Sequence, residues 1–214
     1  GQAVWSLGGL CGLEWAGMGN TVFPGRDLGG DPGLLLWVKA GMMRPNDKDR
    51  ALGTMRGDRP VGPDIPNWAE PPRPDMATLQ GRYARLLALD AEAHAALLFR
   101  AYDGHDWVWD YMPVGPFASA AQFHKWMRGA TKGNDILFYA IEDRTTGQLG
   151  GFASFLRIKP ESGSIEVGFI AMAPQLQRPR AATEAIYLLM KWAFDAGYRR
   201  LEWQCNALNL PSRR

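Results

Sequence analysis

The residue types and spacing that suggest chemistry lie in one short loop, residues 177–183, which reads Gln-Arg-Pro-Arg-Ala-Ala-Thr. The apolar spacing that follows predicts a helix over residues 181–196. A helix N-terminus presents backbone N–H groups without intrahelical partners and a partial positive charge, so it attracts phosphate. In this loop the small residues Ala181 and Ala182 would let a phosphate approach the backbone. Arg178 and Arg180 would add charged hydrogen bonds. The loop therefore indicates a phosphate site, with a solvated basic turn as the alternative.

Strands on both sides of this loop must position it. Before the loop, three strands are predicted over residues 136–142, 149–159 and 164–172, and the short turns between them imply antiparallel pairing. After the helix, a strand over 200–205 would lie parallel to the third strand, because a helix connects the two. Alternation predicts one apolar face on the third strand, formed by Ile165, Val167, Phe169 and Ala171. The pattern predicts an α+β fold: a mixed, mostly antiparallel sheet with a splayed parallel pair, flanked by helices.

Two further helices are predicted upstream of these strands. A strand of mixed polarity over residues 80–89 leads to Asp90, whose side chain can cap a helix over 92–102. Ser119 is followed three residues later by a glutamine, which fits the capping-box spacing for a helix over 120–129. The predicted order is therefore β, α, α, β, β, β, α, β.

The composition of the chain changes near residue 75. Residues 1–33 hold ten of the 25 glycines, and the first 80 residues hold nine of the 15 prolines. Residues 53–74 show no period of 2 or 3.6, and their prolines exclude helix interiors. We expect residues 1–74 to be an irregular extension, disordered or non-native, that the domain over 75–214 does not need for folding. A functional N-terminal domain is the alternative.

Charge and composition disfavour several classes of partner. The 24 Lys and Arg against 22 Asp and Glu leave a net charge of only +2, which gives no global electrostatic case for nucleic acid or an anionic membrane. Nucleic-acid binding is the alternative that this balance disfavours, and it would use Arg178, Arg180, Arg199 and Arg200. The longest clean apolar run, residues 34–38, is far shorter than the roughly 20 residues that span a bilayer. Two cysteines and three isolated histidines predict no disulfide framework and no metal site, so we expect a cytoplasmic protein.

Three segments carry a family resemblance in a fixed order. They are residues 166–170 (Glu-Val-Gly-Phe-Ile), residues 177–182 (Gln-Arg-Pro-Arg-Ala-Ala), and Asn209 with Ser212. With these motifs the C-terminal part of the chain resembles the GNAT acyl-CoA N-acyltransferases, especially the branch of ribosomal-protein alanine acetyltransferases. In that family a Gln/Arg-x-x-Gly-x-Gly/Ala loop binds the coenzyme A pyrophosphate. Arg180 departs from the pattern, because it stands where the family usually has glycine.

The resemblance implies acetyl-CoA as co-substrate and direct transfer to a primary amine in a ternary complex. The coenzyme-binding residues that it implies are Ile170, Met172, Gln177, Arg178, Arg180, Ala181, Ala182, Thr183, Asn209 and Ser212. A backbone N–H near Ile170 would stabilise the oxyanion. Glu166 is the candidate general base, and a structural carboxylate that pairs across the sheet is the alternative.

The acceptor side of such an enzyme is expected between the two upstream helices. The candidate residues there are Trp107, Trp109, Asp110 and Tyr111, with aromatic core packing as the alternative. The acceptor itself, a protein N-terminus or a small amine, stays open, and so does the oligomeric state. A catalytically silent acyl-CoA-binding or interaction domain of the same fold is the alternative function.

The resemblance also implies that the chain lacks the family's last helix and final strands. The strand over residues 200–205 would then be an open edge, which invites pairing with another chain. We therefore expect a C-terminally truncated domain of low stability that self-associates and transfers acetyl groups weakly.

Overall fold

The structure is a computed structural model that describes residues 2–8, 54–56, 59–62, 65–177 and 179–213. The chain divides into two compact units, residues 10–68 and the remainder. In the smaller unit, strands β2 (Thr54–Arg56) and β3 (Arg59–Val61) form an antiparallel pair. The larger unit holds the main sheet, and all the site residues predicted above belong to it.

The main sheet has seven strands in the order β1-β9-β8-β7-β6-β5-β4. Its strands are β1 (Gln2–Gly8), β4 (Leu79–Gln80), β5 (Ala84–Ala88), β6 (Leu137–Asp143), β7 (Gln148–Lys159), β8 (Ser164–Met172) and β9 (Arg200–Asn206). Every neighbouring pair is antiparallel except β8 with β9, which is parallel. The predicted α+β class and its parallel pair are confirmed. The predicted strand over 80–89 is divided, because a tight turn at residues 81–83 separates β4 from β5.

Four α-helices accompany the sheet in the described part of the chain. They are α1 (Ala91–Tyr102), α2 (Ala120–Ala130), α3 (Arg180–Asp195) and the short α4 (Leu210–Arg213). The three long helices agree with the predicted ranges to within one residue at each end. Gly197, with a φ of +100°, follows α3 in a conformation that glycine adopts without strain. None of these helices is both long and apolar enough to cross a membrane.

The sheet carries a different apolar cluster on each face. On the α3 side, small helix residues such as Ala185 and Ala193 share one buried cluster with Ile165 and Val167 of β8. The other cluster joins α1 and α2 to the sheet and is rich in aromatic rings. Phe169 and Ala171 belong to this second cluster, so the prediction that they share a face with Ile165 and Val167 is wrong. The reason is local: Phe169 has a φ of +46° beside an irregularity in the β7–β8 register, which reverses the alternation.

The outer edge of β9 is covered by β1. Residues Gln2–Gly8 pair antiparallel with Asn206–Arg200 along the full length of both strands. The expectation that residues 200–205 form an open edge is therefore wrong. The predicted extension over residues 1–74 did not include this strand, and the boundary at residue 74 stays a prediction. Near that boundary Arg73 donates from Nη2 to the Asn134 carbonyl at 2.6 Å, and the Tyr198 hydroxyl donates to the Pro72 carbonyl at 3.1 Å.

Candidate functional site

The parallel strands β8 and β9 pair over a short distance and then part. Their register joins Ser164–Glu166 to Arg200–Glu202 and extends no further among the described residues. Beyond this point β8 continues to Met172 and β9 to Asn206. The two strands therefore diverge on the side of Ile170 and Met172, and unpaired backbone of β8 and β9 lines the opening between them.

The N-terminus of α3, beside this opening, has no side-chain cap among the described residues. After β8, a 3₁₀ turn (Pro174–Leu176) leads to Pro179, the residue that precedes α3. Pro179 has no side-chain acceptor, and no described side chain makes a capping hydrogen bond to α3. Ala181 and Ala182, in its first turn, are small and buried. The Ala182 N–H donates to the Pro179 carbonyl at 3.2 Å, whereas the N–H groups before it in such a start lack intrahelical partners and can meet an anion.

The residues of the loop differ in their contacts around this helix start. Gln177 donates from Nε2 to the Met172 carbonyl at 2.9 Å and so ties the loop to the end of β8. Thr183 is exposed in the first turn of α3. The prediction for Arg178 lies outside the described residues.

Arg180 is the first residue of α3, and its side chain turns toward β5. Its Nη1 donates to the Tyr83 hydroxyl at 3.0 Å, and its guanidinium carbon lies 5.4 Å from the centre of the Tyr83 ring. Because Arg180 is helical, the position does not need the conformational freedom of glycine. Sequence reasoning missed Tyr83, because Tyr83 and Arg180 are 97 positions apart and no local pattern joins them.

Glu166 lies at the last paired position before the strands diverge. Its side chain is 4% exposed, and Oε2 accepts a hydrogen bond from Nη1 of Arg157 at 2.6 Å. The same Arg157 nitrogen also donates to Gln204 of β9. Burial raises the pKa of the Glu166 carboxyl above its ordinary value, Arg157 lowers it, and the nearby Glu202 carboxylate raises it. Glu166 therefore takes up a proton more readily than an exposed glutamate.

The aromatic segment between α1 and α2 is partly core and partly surface. Trp109 is 5% exposed, whereas Trp107 and Tyr111 are 50% and 44% exposed, and Asp110 is exposed. A small cavity of about 40 Å³ lies here, and its lining residues are Phe99, Tyr102, Asp103, Gly104, Asp106, Trp109 and Phe117. Of the four predicted acceptor residues, only Trp109 lines this cavity.

Tyr102 connects the cavity wall to β8 and was missed by sequence reasoning. Its hydroxyl donates to the Ala171 carbonyl at 2.9 Å in a fully buried hydrogen bond. Burial raises the pKa of this hydroxyl well above its ordinary value, so Tyr102 acts as a neutral donor. In the sequence, a tyrosine in the last turn of an amphipathic helix looks like an ordinary core residue. Nothing there indicates that its hydroxyl donates to a strand carbonyl.

Asn209 and Ser212 lie close to each other after β9. Asn209 Oδ1 accepts from the Ser212 backbone N–H at 3.2 Å, and the Ser212 hydroxyl accepts from Trp203 Nε1 at 3.1 Å. The pair therefore fixes the start of α4 against β9. Among the described residues no cluster of His, Cys, Asp or Glu side chains could hold a metal ion.

A sheet whose one parallel pair diverges beside an uncapped helix start has the architecture of an acyltransferase. The family model of the GNAT acetyltransferase domain matches residues 85–214, and the chain belongs to that family. The predicted family is thus confirmed, and the general activity it brings is acetyl transfer.

Solved structures of similar proteins agree with this assignment. A GCN5-related N-acetyltransferase from Brucella melitensis is 39% identical, with a TM-score of 0.68 over 70% of this chain and 69% of that one. A probable GNAT-family acetyltransferase from Chromobacterium violaceum is 34% identical, with a TM-score of 0.68 over 74% and 80%. The ribosomal L7/L12 alpha-N-protein acetyltransferase RimL shares the fold at 18% identity, with a TM-score of 0.55 over 64% and 76%. Among curated protein sequences, none matches this chain.

Proposed function

We propose that this protein transfers an acetyl group from acetyl-CoA to a primary amine by direct attack in a ternary complex. The observation that carries the proposal is the divergence of β8 from β9 toward the uncapped start of α3. An extended chain fits between diverging strands, and a pyrophosphate fits a helix start that no described side chain occupies. The two features adjoin at Met172, as one elongated coenzyme requires.

The residues proposed to hold the coenzyme follow this path. Backbone groups of Ile170 and Met172 would bind the pantetheine arm, since amides and extended strands pair readily. At the helix start, the backbone from Ala181 to Thr183 would bind the pyrophosphate, with Gln177 and Arg178 at its side. Arg180 would act through its contact with Tyr83.

Asn209 and Ser212 are proposed to contact the coenzyme arm from β9. Their mutual hydrogen bond orders the turn in which both residues lie. The Ser212 hydroxyl accepts from Trp203 Nε1 and keeps its own O–H to donate. The same turn follows the unpaired part of β9, so it adjoins the proposed coenzyme path.

The reaction needs a hydrogen-bond donor to the oxyanion and a group that accepts the amine proton. The neutral amine attacks the thioester carbon, the negative charge develops on the carbonyl oxygen, and the thiolate leaves. We assign the oxyanion donor to the Ile170 backbone N–H, which follows the left-handed Phe169 beyond the last β8–β9 pair. Glu166, acting through water, would take the ammonium proton, and its raised pKa suits that role.

The acceptor is proposed to enter at the cavity beside Trp109. Asp103 and Asp106 on its rim attract a cationic amine, and aromatic walls contact its alkyl part or its charge. Trp107, Asp110 and Tyr111 are exposed on the same segment and would extend the acceptor surface. A protein N-terminus and a small amine both fit this chemistry.

The second candidate function is a silent acyl-CoA-binding domain. It is favoured by the ion pair of Glu166 with Arg157, which occupies the carboxylate that the reaction needs. Release of free coenzyme A, measured across a panel of amines and N-terminal peptides, separates the two functions. Turnover with any acceptor supports the transferase, and tight acetyl-CoA binding without turnover supports the silent domain.

The pH dependence of turnover tests the role of Glu166. Because the base must be ionised and its pKa is raised, kcat should fall at a higher pH than an ordinary glutamate would impose. Glu166→Gln should reduce kcat by about 100-fold or more and abolish this acidic limb. Glu161→Gln, an exposed carboxylate in the turn before β8, is the matched control and should leave the profile unchanged. An unchanged limb in Glu166→Gln would remove the assignment.

A further inference from the structure

Glu184 of α3 makes an unusual set of contacts outside its own helix. Its Oε2 accepts hydrogen bonds from the backbone N–H groups of Tyr83 at 2.5 Å and Ala84 at 2.7 Å, and Oε1 accepts from that of Arg82 at 3.0 Å. Three consecutive peptide N–H groups therefore converge on one carboxylate, as in the anion-binding nests formed by turns. The carboxylate belongs to the second turn of α3, and the N–H groups belong to the turn into β5.

The close approach depends on the residue before these three. A Cβ at Gly81 would overlap the Glu184 carboxyl group, so any larger residue there would displace it. Gly81 thus leaves space for the carboxylate directly beneath the β4–β5 turn. Glycine is needed at this position because a side chain would collide with the Glu184 carboxyl group, not because of its backbone conformation.

The same turn is held a second time by the first residue of α3. Arg180 and Glu184 are four residues apart, so both project from one side of the helix. Tyr83 is bound by both of them: its amide by Glu184, and its ring and hydroxyl by Arg180. The first two turns of α3 are therefore fastened to the turn into β5 by one hydrogen-bonded carboxylate and one guanidinium that lies over the Tyr83 ring.

We propose that Glu184, with Gly81 and Tyr83 as its receiving turn, is a positioning residue that fixes the start of α3 for the coenzyme pyrophosphate. This inference rests on the proposed function. The start of α3 follows a loop rather than a strand, and no described side chain caps it. The Glu184 hydrogen bonds, together with the burial of Ala181 and Ala182 in the core, hold this start against the sheet. They also keep a carboxylate turned away from the approaching phosphates, where its charge would repel them.

Calorimetric titration with acetyl-CoA, and with S-acetylpantetheine as a probe without the pyrophosphate, tests this role. Glu184→Gln replaces an acceptor of three N–H groups by an amide with one oxygen. Its Kd for acetyl-CoA should rise roughly tenfold, with that for S-acetylpantetheine within about twofold. Gly81→Ala should act in the same direction from the other side of the contact, with Glu184 still present. Glu161→Gln is the control for loss of one surface charge and should bind like the wild type.

Amide exchange gives a second readout that does not depend on turnover. Acetyl-CoA should slow exchange at Arg82, Tyr83 and Ala84 in the wild type and not in Glu184→Gln. If Glu184→Gln lowers the melting temperature but keeps the wild-type Kd for acetyl-CoA, the positioning role is overturned and Glu184 is only structural. Equal losses for both probes would overturn it too. If the wild type itself binds neither probe, the proposed function fails first, and that failure is seen without any variant.

Discussion

The starts of the three long helices differ in how their N–H groups are used. Asp90 closes α1, accepting from the Ala93 N–H at 2.7 Å, and Ser119 closes α2, accepting from the Gln122 N–H at 3.3 Å. At α3 the corresponding residue is Pro179, which offers no side-chain acceptor. The acidic residue nearest in sequence within α3, Glu184, directs its carboxylate to β5 instead.

In the proposed function, this difference separates two helices that only build the fold from one whose start binds the coenzyme. A side-chain cap is worth about 1 kcal/mol, so an uncapped start sacrifices stability. That loss is tolerable where a ligand supplies the missing acceptor. If the uncapped start of α3 binds the coenzyme, then capping α3, uncapping α1 and adding pyrophosphate should affect affinity and stability differently.

Adding a side-chain cap to α3 should abolish most of the coenzyme affinity. In Pro179→Asp, the new carboxylate would accept the first N–H groups of α3 and repel the pyrophosphate. We expect the Kd for acetyl-CoA to rise about 100-fold while the free energy of unfolding is unchanged or larger. Calorimetric titration and denaturant unfolding measure the two quantities. Pro179→Asn, a neutral cap, should lose less affinity, and wild-type affinity in Pro179→Asp would show that the pyrophosphate binds elsewhere.

Removing the side-chain cap of α1 should lower stability and leave coenzyme affinity unchanged. Asp90→Ala removes the cap, so the free energy of unfolding should fall by about 1 kcal/mol, with the Kd for acetyl-CoA unchanged. Denaturant unfolding detects this change, and Asp90→Asn, which keeps a capping acceptor, should recover most of it. A large loss of coenzyme affinity in Asp90→Ala would mean that the two helix starts are not independent.

The smallest expected effect is stabilisation by inorganic pyrophosphate. At a concentration equal to its Kd, a ligand stabilises the folded state by about 0.4 kcal/mol, which is a shift of roughly 1–2 °C in Tm. Wild type and Asp90→Ala should show the same shift in a thermal scan, and Pro179→Asp should show none. A shift retained in Pro179→Asp would contradict the comparison.

The fold was largely predictable because its signals are local. The three long helices, the strand β8 and the caps Asp90 and Ser119 follow from apolar spacing and turn chemistry within a few residues. The parallel pair follows from the helix between its strands. The family motifs lie in the same segments, so the family was predictable as well.

What the sequence did not predict depends on contacts between distant segments. The hydrogen bonds of Glu184 join residues about a hundred positions apart, and no local pattern marks them. The register irregularity at Phe169 reverses a strand face without any change in composition. The pairing of Gln2–Gly8 with β9 was missed because a glycine-rich neighbourhood obscured a short strand.

The position of β1 has a consequence for the order in which this protein is made. The register pairs Gly8 with Arg200 and Gln2 with Asn206, so an early segment waits for a late one during synthesis. Long loops are closed at the cost of chain entropy, and contacts of high sequence separation slow folding. Until β9 is made, Gln2–Gly8 have no partner strand in the main sheet. The outer edge of the main sheet is therefore completed late, only after the residues of β9 have been made.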